Sequence, residues 1–222
     1  MGFTIPKEGS PGKYRILGIS NFEDKLCQKM MKKVLENIYE PLFLKCSYGF
    51  RAGIGCHDAV RELSKHLYEK EVESIIDLDL ANFFGTVDRK ILIEILQEKV
   101  QDMRLIRYLI RMFKAGVLSD GELTIQEEGV IAGSIVSPVL ANIFAHYVLD
   151  EWIKKVVTQH CRGEVELFRY CDDAVICCIV KPIELGDTNF VLTLRKQASR
   201  FPPLLRMTTY NRYVLYHLIL WA

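Results

Sequence analysis

The sequence predicts an α+β fold in which amphipathic helices accompany an antiparallel sheet. Apolar residues recur at helical spacing in several segments, and two β-rich runs, residues 165–169 and 174–180, flank a short turn that is typical of a hairpin. Of the 222 residues, 50% are hydrophobic and 26% are charged. This composition excludes a disordered or collagen-like chain.

The first predicted helix follows a capping box, in which Ser20 precedes Glu23 by three residues. Apolar residues then recur at every fourth position, and the helix ends before Pro41. The apolar stripe of this amphipathic helix comprises Leu26, Met30, Val34 and Ile38.

The middle of the chain is predicted to contain a loop, a strand and two capped helices. Residues 47–56 include three glycines and predict a loop before a second helix. Residues 74–80 form a short apolar run that indicates a buried strand. Asp88 and Asp102 each stand where an aspartate caps the start of a helix.

The second half of the chain adds a hairpin and a long helix. Residues 116–133 are rich in turn-forming residues and predict the hairpin, and Pro138 fits the first turn of a helix that continues past Trp152. Residues 181–222 contain three prolines and follow neither the helical nor the strand period. We therefore expect no packed role for residues 181–222 comparable to that of the sheet.

The cysteines predict free thiols in a reducing compartment, and the hydropathy predicts no membrane span. The seven cysteines are an odd number, and the first residues show no secretory signal, so free thiols are expected. Zinc is the alternative, because Cys56-His57 and His160-Cys161 are adjacent pairs, although adjacent ligands are not the usual zinc spacing. The chain has no apolar run of about 18 residues, so no transmembrane helix is expected.

The formal net charge of +1 hides an uneven distribution of charge. Residues 1–70 carry 12 basic and 8 acidic side chains, whereas residues 71–150 carry 7 and 13. A basic segment beside an acidic one suits a polyanion held near a metal-binding carboxylate cluster. Ordinary surface charge explains the same counts without any ligand.

Three aspartates are candidate metal ligands. Asp79 lies at the end of the predicted strand, and Asp172 and Asp173 lie side by side in the predicted turn. A carboxylate among apolar neighbours is costly unless it is paired or metal-bound, and Mg²⁺ prefers hard carboxylate oxygens. We expect only one of Asp77 and Asp79 to face the same side as the turn. An Asp-Asp pair is also common in turns that have no further role.

Several short motifs surround these aspartates in a fixed order. The turn itself reads Phe168-Arg169-Tyr170-Cys171-Asp172-Asp173. The others are Ile5-Pro6-Lys7 with residues 12–19, Asp24 and Gln28; Ser47-Tyr48-Gly49-Phe50-Arg51 with Cys56-His57; Asp79-Leu80-Ala81-Asn82-Phe83-Phe84; and Ser137-Pro138-Val139-Leu140-Ala141-Asn142-Ile143. Together, across residues 3–180, they resemble the reverse transcriptase/maturase proteins of bacterial group II introns.

The resemblance implies a right-hand polymerase fold with fingers and an antiparallel palm sheet. Residues 1–70 would form the fingers and residues 71–180 the palm, with residues 89–125 partly fingers or connecting helices. The family's primer grip and helical thumb are not recognisable in residues 181–222. We expect a degenerate tail there and a missing thumb, which a frameshifted or truncated reading frame would explain.

The resemblance also implies an RNA-directed DNA polymerase that uses two Mg²⁺ ions. Asp79, Asp172 and Asp173 would hold the ions together with the backbone carbonyl of Leu80, so that the match selects Asp79 over Asp77. One ion would activate the primer 3′-hydroxyl, and the other would bind the triphosphate of the incoming nucleotide.

The same motifs imply residues that bind the nucleotide and the template. Lys7 and Arg15 match basic positions that contact the triphosphate, and Phe84 matches the aromatic that excludes a ribose 2′-hydroxyl. Ala132 stands before Gly133 where the family has Gln, and the lost amide contact predicts weaker nucleotide binding. The residues expected along the template are Ser47, Tyr48, Gly49, Phe50, Arg51 and Tyr170.

Three functions compete on the sequence. The first is the RNA-directed DNA polymerase, with a group II intron RNA template, a DNA primer and dNTPs as partners. The second is a maturase that binds intron RNA and assists splicing without synthesis, and the third is a decayed fragment with neither activity. A two-metal nuclease is a weaker alternative, since the aspartate turn and the Ser137-Pro138 helix are not expected together in such an enzyme. We expect a bacterial cytoplasmic protein that is weakly active or inactive as this chain.

Overall fold

The computed structural model describes residues 2–6, 14–80, 82–119, 122–125, 128–160, 163–179 and 205–211. The chain divides into two compact units, each built from two separate stretches of sequence. The first unit comprises residues 1–42 and 83–144, and the second comprises residues 43–82 and 145–222. The units are therefore interleaved along the chain, whereas the fingers and palm expected from the sequence are continuous segments.

The first unit combines two small antiparallel hairpins with several helices. Strand β1 (Gly2–Pro6) pairs with β2 (Tyr14–Gly18), and β4 (Val117–Ser119) pairs with β5 (Glu122–Thr124) inside the turn-rich segment, as predicted. The helices are α1 (Phe22–Tyr39), α3 (Phe83–Thr86), α4 (Arg89–Lys99), α5 (Met103–Lys114) and most of α6 (Ser137–Ala145).

Helix α1 differs from its prediction in its cap and in its buried face. Asn21, not Ser20, is the capping residue, and its side chain accepts a hydrogen bond from the backbone N–H of Asp24 at 2.8 Å. The buried residues are Gln28, Met31, Leu35 and Tyr39, whereas Leu26, Met30 and Val34 of the predicted stripe are exposed. Both sets have helical spacing, so spacing alone does not select the face that packs.

Helices α4 and α5 begin at the predicted aspartates. The side chain of Asp88 accepts hydrogen bonds from the backbone N–H groups of Lys90 and Ile91, and that of Asp102 accepts one from Arg104. These bonds satisfy donors that have no partner within the helix. The buried residues of the two helices are Leu92, Ile95, Leu96, Ile106, Leu109 and Phe113.

The second unit is built on a four-stranded antiparallel sheet with the strand order β6-β7-β3-β8. Its elements are α2 (Cys56–Glu69), β3 (Ser74–Leu80), β6 (Val165–Tyr170), β7 (Asp173–Cys178) and β8 (Leu205–Asn211). Two π-helical segments, His146–Asp150 and Ile153–Val157, and α7 (Thr158–His160) continue from α6. The predicted strand at residues 74–80, the hairpin and the helix past Trp152 are confirmed.

The sheet has one buried face and one face that opens towards solvent at one end. Successive residues of a strand point to opposite faces. The buried face carries Ile76, Leu78, Leu167, Arg169, Ala174 and Ile176. On the other face a cluster of Leu67, Val72, Ile75, Phe168 and Cys177 covers one end. The acidic residues of β3 and β7 follow at the opposite end of that face, where ligands can reach them.

Strand β8 contradicts the expectation that residues 181–222 have no packed role. Its register with β3 runs from Ser74 opposite Asn211 to Leu80 opposite Leu205. Pairing along β3 satisfies backbone N–H and C=O groups and needs no particular side-chain period, which is why periodicity did not reveal it. Residues 180–204 and 212–222 lie outside the described residues.

Two expectations from composition concern the described part of the chain. The cysteines in that part are free thiols. None of its helices combines the length and the apolar character that a membrane span requires.

Candidate active site

Asp79 and Asp173 stand directly opposite each other in the sheet. They are register partners in the antiparallel pairing of β3 with β7, and the next contact is a hydrogen bond from Leu80 N–H to the carbonyl oxygen of Asp172 at 3.1 Å. Directly opposed residues of an antiparallel pair have Cβ atoms about 4.5–5.5 Å apart. Strand pairing alone thus brings two carboxylates within reach of one cation.

Asp77 lies on the same face of β3 as Asp79, because residues two apart in a strand point the same way. The expectation that only one of them faces the side of the turn is therefore wrong. Asp77 pairs with Val175, about 7 Å farther along the strand. The register, not the face, distinguishes Asp79 as the partner of Asp173.

The acidic residues at this end of the sheet repel one another. Burial, followed by the charges of Asp172, Asp79 and Asp77, raises the pKa of Asp173 above its ordinary value. Burial and the charge of Asp79 also raise the pKa of Asp77. The site therefore concentrates negative charge that a divalent cation would stabilise.

The residues fit a Mg²⁺ ion that is shared with substrate. In the part of the chain that the structure describes, no three acidic, histidine or cysteine side chains are close enough together to hold a metal ion by themselves. Mg²⁺ is usually bound by one or two carboxylates, with waters and substrate phosphates completing its shell. Asp79 and Asp173 suit that mode, whereas a ready-made set of three carboxylates, or a zinc site at Cys56 and His57, is not formed.

The turn between β6 and β7 is strained and closely packed. Cys171 has a left-handed backbone, with φ at 60°, which L-residues disfavour. Gly49 lies against it, and a Cβ atom at position 49 would come within 2.3 Å of the Cys171 backbone nitrogen. Ser47 forms an isolated parallel bridge with Arg169. Residues 47–51 therefore pack directly on the turn that carries the aspartates.

Two of the residues expected along the template expose aromatic rings near the turn. Phe50 is 39% exposed and Tyr170 is 37% exposed. Tyr48 is partly buried and packs against the hydrophobic cluster around Phe168. Phe50 and Tyr170 thus have ring surface available for stacking with a base, whereas Tyr48 mainly supports the sheet.

Ser47 and Arg51 serve the protein itself. Ser47 is fully buried, and its hydroxyl accepts a hydrogen bond from Arg169 Nη2 at 2.7 Å. The side chain of Ser47 is thus engaged within the protein, and the contact of Ser47 with the template stays a prediction. Arg51 Nη1 donates to the backbone carbonyl of Ser47 at 2.7 Å and so stabilises its own loop.

The loop expected to contact the nucleotide lies in the first unit, against the end of β2. Gly18 N–H donates to the carbonyl of Ala132 at 2.8 Å. Gly133 has φ of 93°, and a Cβ atom there would lie 2.9 Å from the Gly18 carbonyl oxygen, so only glycine fits this approach. The Gln28 side chain accepts from the backbone N–H of Ile135 at 3.0 Å, which fixes the loop to α1.

Phe84 meets the same loop from α3. Its backbone carbonyl accepts a hydrogen bond from Val130 N–H at 2.6 Å, and its ring is half-buried beside that of Phe83. Arg15 lies in β2, three residues before Gly18, but its side chain is outside the described residues, as is all of Lys7. The structure therefore brings β2, Phe84 and the loop together.

Residues 5–184 match the family described as reverse transcriptase (RNA-dependent DNA polymerase). The chain belongs to this family. Relatives of this reverse transcriptase chain include an uncharacterized 91 kDa protein in a cob intron of Schizosaccharomyces pombe, 38% identical over 158 residues. The group II intron-encoded protein LtrA of Lactococcus lactis is 34% identical over 149 residues, and protein YkfC of Escherichia coli is 35% identical over 156.

These matches cover 71%, 67% and 67% of the reverse transcriptase chain, but 19%, 24% and 40% of the three relatives. The chain thus spans a minor part of each relative's length. The resemblance to the reverse transcriptase/maturase proteins of group II introns is confirmed. The relatives come from bacteria and from a yeast, so the bacterial cytoplasm stays a prediction.

Solved telomerase structures share the fold of this reverse transcriptase. Apo telomerase from Candida tropicalis aligns with a TM-score of 0.66 at 11% identity, covering 95% of this chain and 44% of that chain. Telomerase from Candida albicans aligns with a TM-score of 0.59 at the same identity. The likeness shows a reverse transcriptase-like fold of helices and antiparallel sheet, as the motifs predicted.

Sequence reasoning missed a buried ion pair behind the aspartate turn of the reverse transcriptase. Arg169 Nε and Nη2 donate to the two carboxylate oxygens of Asp150 at 2.6 and 2.7 Å, and both side chains are fully buried. Burial would raise the pKa of Asp150, but the charge of Arg169 and its two hydrogen bonds outweigh burial and lower that pKa. The sequence did contain a signal for this pair, because a charged residue in an apolar strand and another in an apolar helix both need partners when they are buried.

Replacing Asp173 by Asn is expected to stabilise the metal-free chain at pH 7. The pKa of Asp173 is higher in the folded chain than its ordinary value of 3.8. The folded chain therefore loses stability when the pH rises through that raised pKa and Asp173 ionises. Asn stays neutral, so D173N should be more stable by less than about 1 kcal/mol, since the exposed site is screened. Thermal unfolding in EDTA should show the difference shrinking from pH 7 towards pH 4. A D173N chain less stable than wild type at pH 7 would contradict this.

Proposed function

We propose that this chain carries the nucleotidyl-transfer site of a group II intron-encoded reverse transcriptase, with Asp79, Asp172 and Asp173 holding two Mg²⁺ ions. The pairing of Asp79 with Asp173 at the turn, in a chain of this family, is the observation that carries the proposal. Residues 1–70 would act as fingers and residues 71–180 as palm.

In the proposed mechanism, the carboxylates of Asp79, Asp172 and Asp173 and the backbone carbonyl of Leu80 would hold the two Mg²⁺ ions at the end of the sheet. When bound there, Mg²⁺ lowers the pKa of the primer 3′-hydroxyl and neutralises charge on the triphosphate. The 3′-hydroxyl would release its proton to water, its oxygen would attack the α-phosphorus of the dNTP, and the bond from that phosphorus to pyrophosphate would break in line. The chain contributes position more than covalent chemistry.

The nucleotide would be bound by the residues that the family motifs imply. Lys7 and Arg15 would bind the triphosphate, as a point charge and as a bidentate fork. The half-buried ring of Phe84, fixed to the loop through Val130, would exclude a ribose 2′-hydroxyl. Ala132 offers no amide to the nucleotide, so we propose weaker dNTP binding than in a chain with Gln there.

The second unit would hold the template strand beside the aspartates. Phe50 and Tyr170 would stack on bases, an interaction worth about 1–3 kcal/mol per base. The packing of Gly49 on Cys171 would keep these rings in register with the metal ligands. The Ser47 side chain would act only indirectly, through Arg169.

The test is extension of a DNA primer on an RNA template with excess protein, so that a slow single turnover is detected. We expect Mg²⁺-dependent addition of the complementary dNMP, with a high KM for dNTP because of Ala132. Splicing of a group II intron RNA, measured in parallel, distinguishes a maturase from a polymerase. Splicing assistance without any extension would reject synthesis in favour of the maturase.

A further inference from the structure

We infer that Arg169 is a positioning residue that holds the aspartate turn, residues 171–173, from behind and so presents Asp173 to Asp79. The inference rests on the proposed function, since it names the residue that shapes the proposed metal site. Arg169 itself contacts neither metal nor substrate in this scheme.

Arg169 lies on the opposite face of the sheet from the carboxylates. It is the register partner of Ala174, whereas the next residue, Tyr170, is the partner of Asp173. Because side chains alternate between faces, the guanidinium lies on the buried face while Asp173 lies on the open one. Any influence of Arg169 on the site must therefore pass through the backbone of the turn.

Asp150 anchors the guanidinium in one orientation. The two hydrogen bonds between them, at 2.6 and 2.7 Å, form the bidentate arrangement that fixes both the position and the plane of an arginine. Asp150 belongs to the π-helical segment His146–Asp150, and such segments recur at functional sites. The anchored fork leaves further N–H groups pointing in defined directions.

Those N–H groups bond to the aspartate turn and to the loop that packs on it. Nη1 donates to the carbonyl of Cys171 at 3.1 Å, and Nη2 donates to the hydroxyl of Ser47 at 2.7 Å. The backbone of Arg169 adds bonds to Cys46 and Tyr48, at 2.7 and 2.9 Å. Arg169 therefore connects residues 46–48 and the aspartate turn through hydrogen bonds from a single anchored residue.

The turn needs such support because its backbone is strained. A left-handed non-glycine residue persists only where its surroundings over-determine it. Here Cys171 is held from one side by Arg169, and the neighbouring carbonyl of Asp172 is held from the other by Leu80 N–H. Without the guanidinium, the Cys171 carbonyl loses its donor, and the turn is expected to relax away from Asp79.

The experiment separates positioning from stability by replacing both charges with apolar residues of similar size, in R169M/D150L. Such a replacement of a buried ion pair is often neutral or stabilising. We expect the variant to fold with a melting temperature near that of the wild type. Alkylation of Cys171 by iodoacetamide, followed by mass spectrometry of its peptide, should accelerate at least tenfold.

Cys177, fully buried in the same hairpin, is the internal control and should keep its slow alkylation. Cys171 is itself only 9% exposed, so the reagent reaches its thiol only when the turn opens. Acceleration therefore reports opening of the turn. A folded R169M/D150L chain with the wild-type alkylation rate at Cys171 would overturn the inference.

R169K keeps the charge beside Asp150, but a lysine cannot bond to Asp150, Cys171 and Ser47 together. This variant tests the role of Arg169 if R169M/D150L does not fold. We expect alkylation of Cys171 in R169K to rise at least threefold, and no rise would overturn the inference. Mn²⁺ affinity, followed by electron paramagnetic resonance, should fall about tenfold in R169M/D150L. If the wild type shows no Mn²⁺ binding that depends on Asp79, the proposed function fails, while the alkylation result still decides the role of Arg169.

Discussion

Replacing Asp79 by Asn is expected to slow RNA-templated primer extension at least about 1,000-fold, equivalent to about 4 kcal/mol of transition-state stabilisation. Asn keeps the shape of the side chain but removes the charge opposite Asp173. A neutral amide neither balances the cation nor fixes its position. Single-turnover extension with excess protein measures the loss.

The matched control for this change is D77N. Asp77 lies on the same strand and the same face, but it pairs with Val175, which is two residues farther from the turn than Asp173. We expect D77N to change the extension rate less than about threefold, because Asp77 is not opposite Asp173 and supplies no ligand to the proposed ions. Equal losses in D79N and D77N would show that the general negative charge of this face, and not the register with Asp173, supports the reaction.

Replacing Gly49 by Ala is expected to lower stability by about 2 kcal/mol or more, because overpacked sites force the backbone to move. The added Cβ would lie 2.3 Å from the Cys171 nitrogen and 2.6 Å from its Sγ atom. The residues that must shift belong to the aspartate turn itself. Primer extension should therefore fall together with the melting temperature, which should drop by about 4–8 °C.

Gly55 in the same loop provides the matched control. A Cβ atom there would meet only the Asp58 side chain, at 3.9 Å, and its φ of −136° suits any residue. G55A should change stability by less than about 1 kcal/mol and leave extension unchanged. If G49A were as well tolerated as G55A, the close packing of residues 47–51 on the turn would be disproved.

Local elements with strong chemical signals were predictable from the sequence. Asp88 and Asp102 cap their helices as predicted, because a carboxylate at this position accepts hydrogen bonds from backbone N–H groups that have no partner within the helix. The strand at residues 74–80 and the aspartate hairpin followed from short apolar runs bounded by turns. The family motifs then identified Asp79 as the partner of the turn.

Features that depend on tertiary partners were not predictable from periodicity. Helix α1 has two faces at apolar spacing, and only packing decides that Leu35 is buried while Val34 is exposed. Strand β8 joins the sheet through its backbone, which leaves no pattern in its side chains. The pair of Arg169 and Asp150 joins residues 19 positions apart, and only the rule that buried charges need partners would have revealed it.

The claim that Asp79 and Asp173 bind a divalent cation together is tested most directly by Mn²⁺ titration, with electron paramagnetic resonance reporting the free ion. Mn²⁺ prefers the same carboxylate oxygens as Mg²⁺. We expect saturable binding by the wild-type chain in the presence of dNTP and an affinity at least tenfold lower in D79N/D173N, with D77N close to wild type. Equal Mn²⁺ affinity in the wild type and in D79N/D173N would contradict the claim.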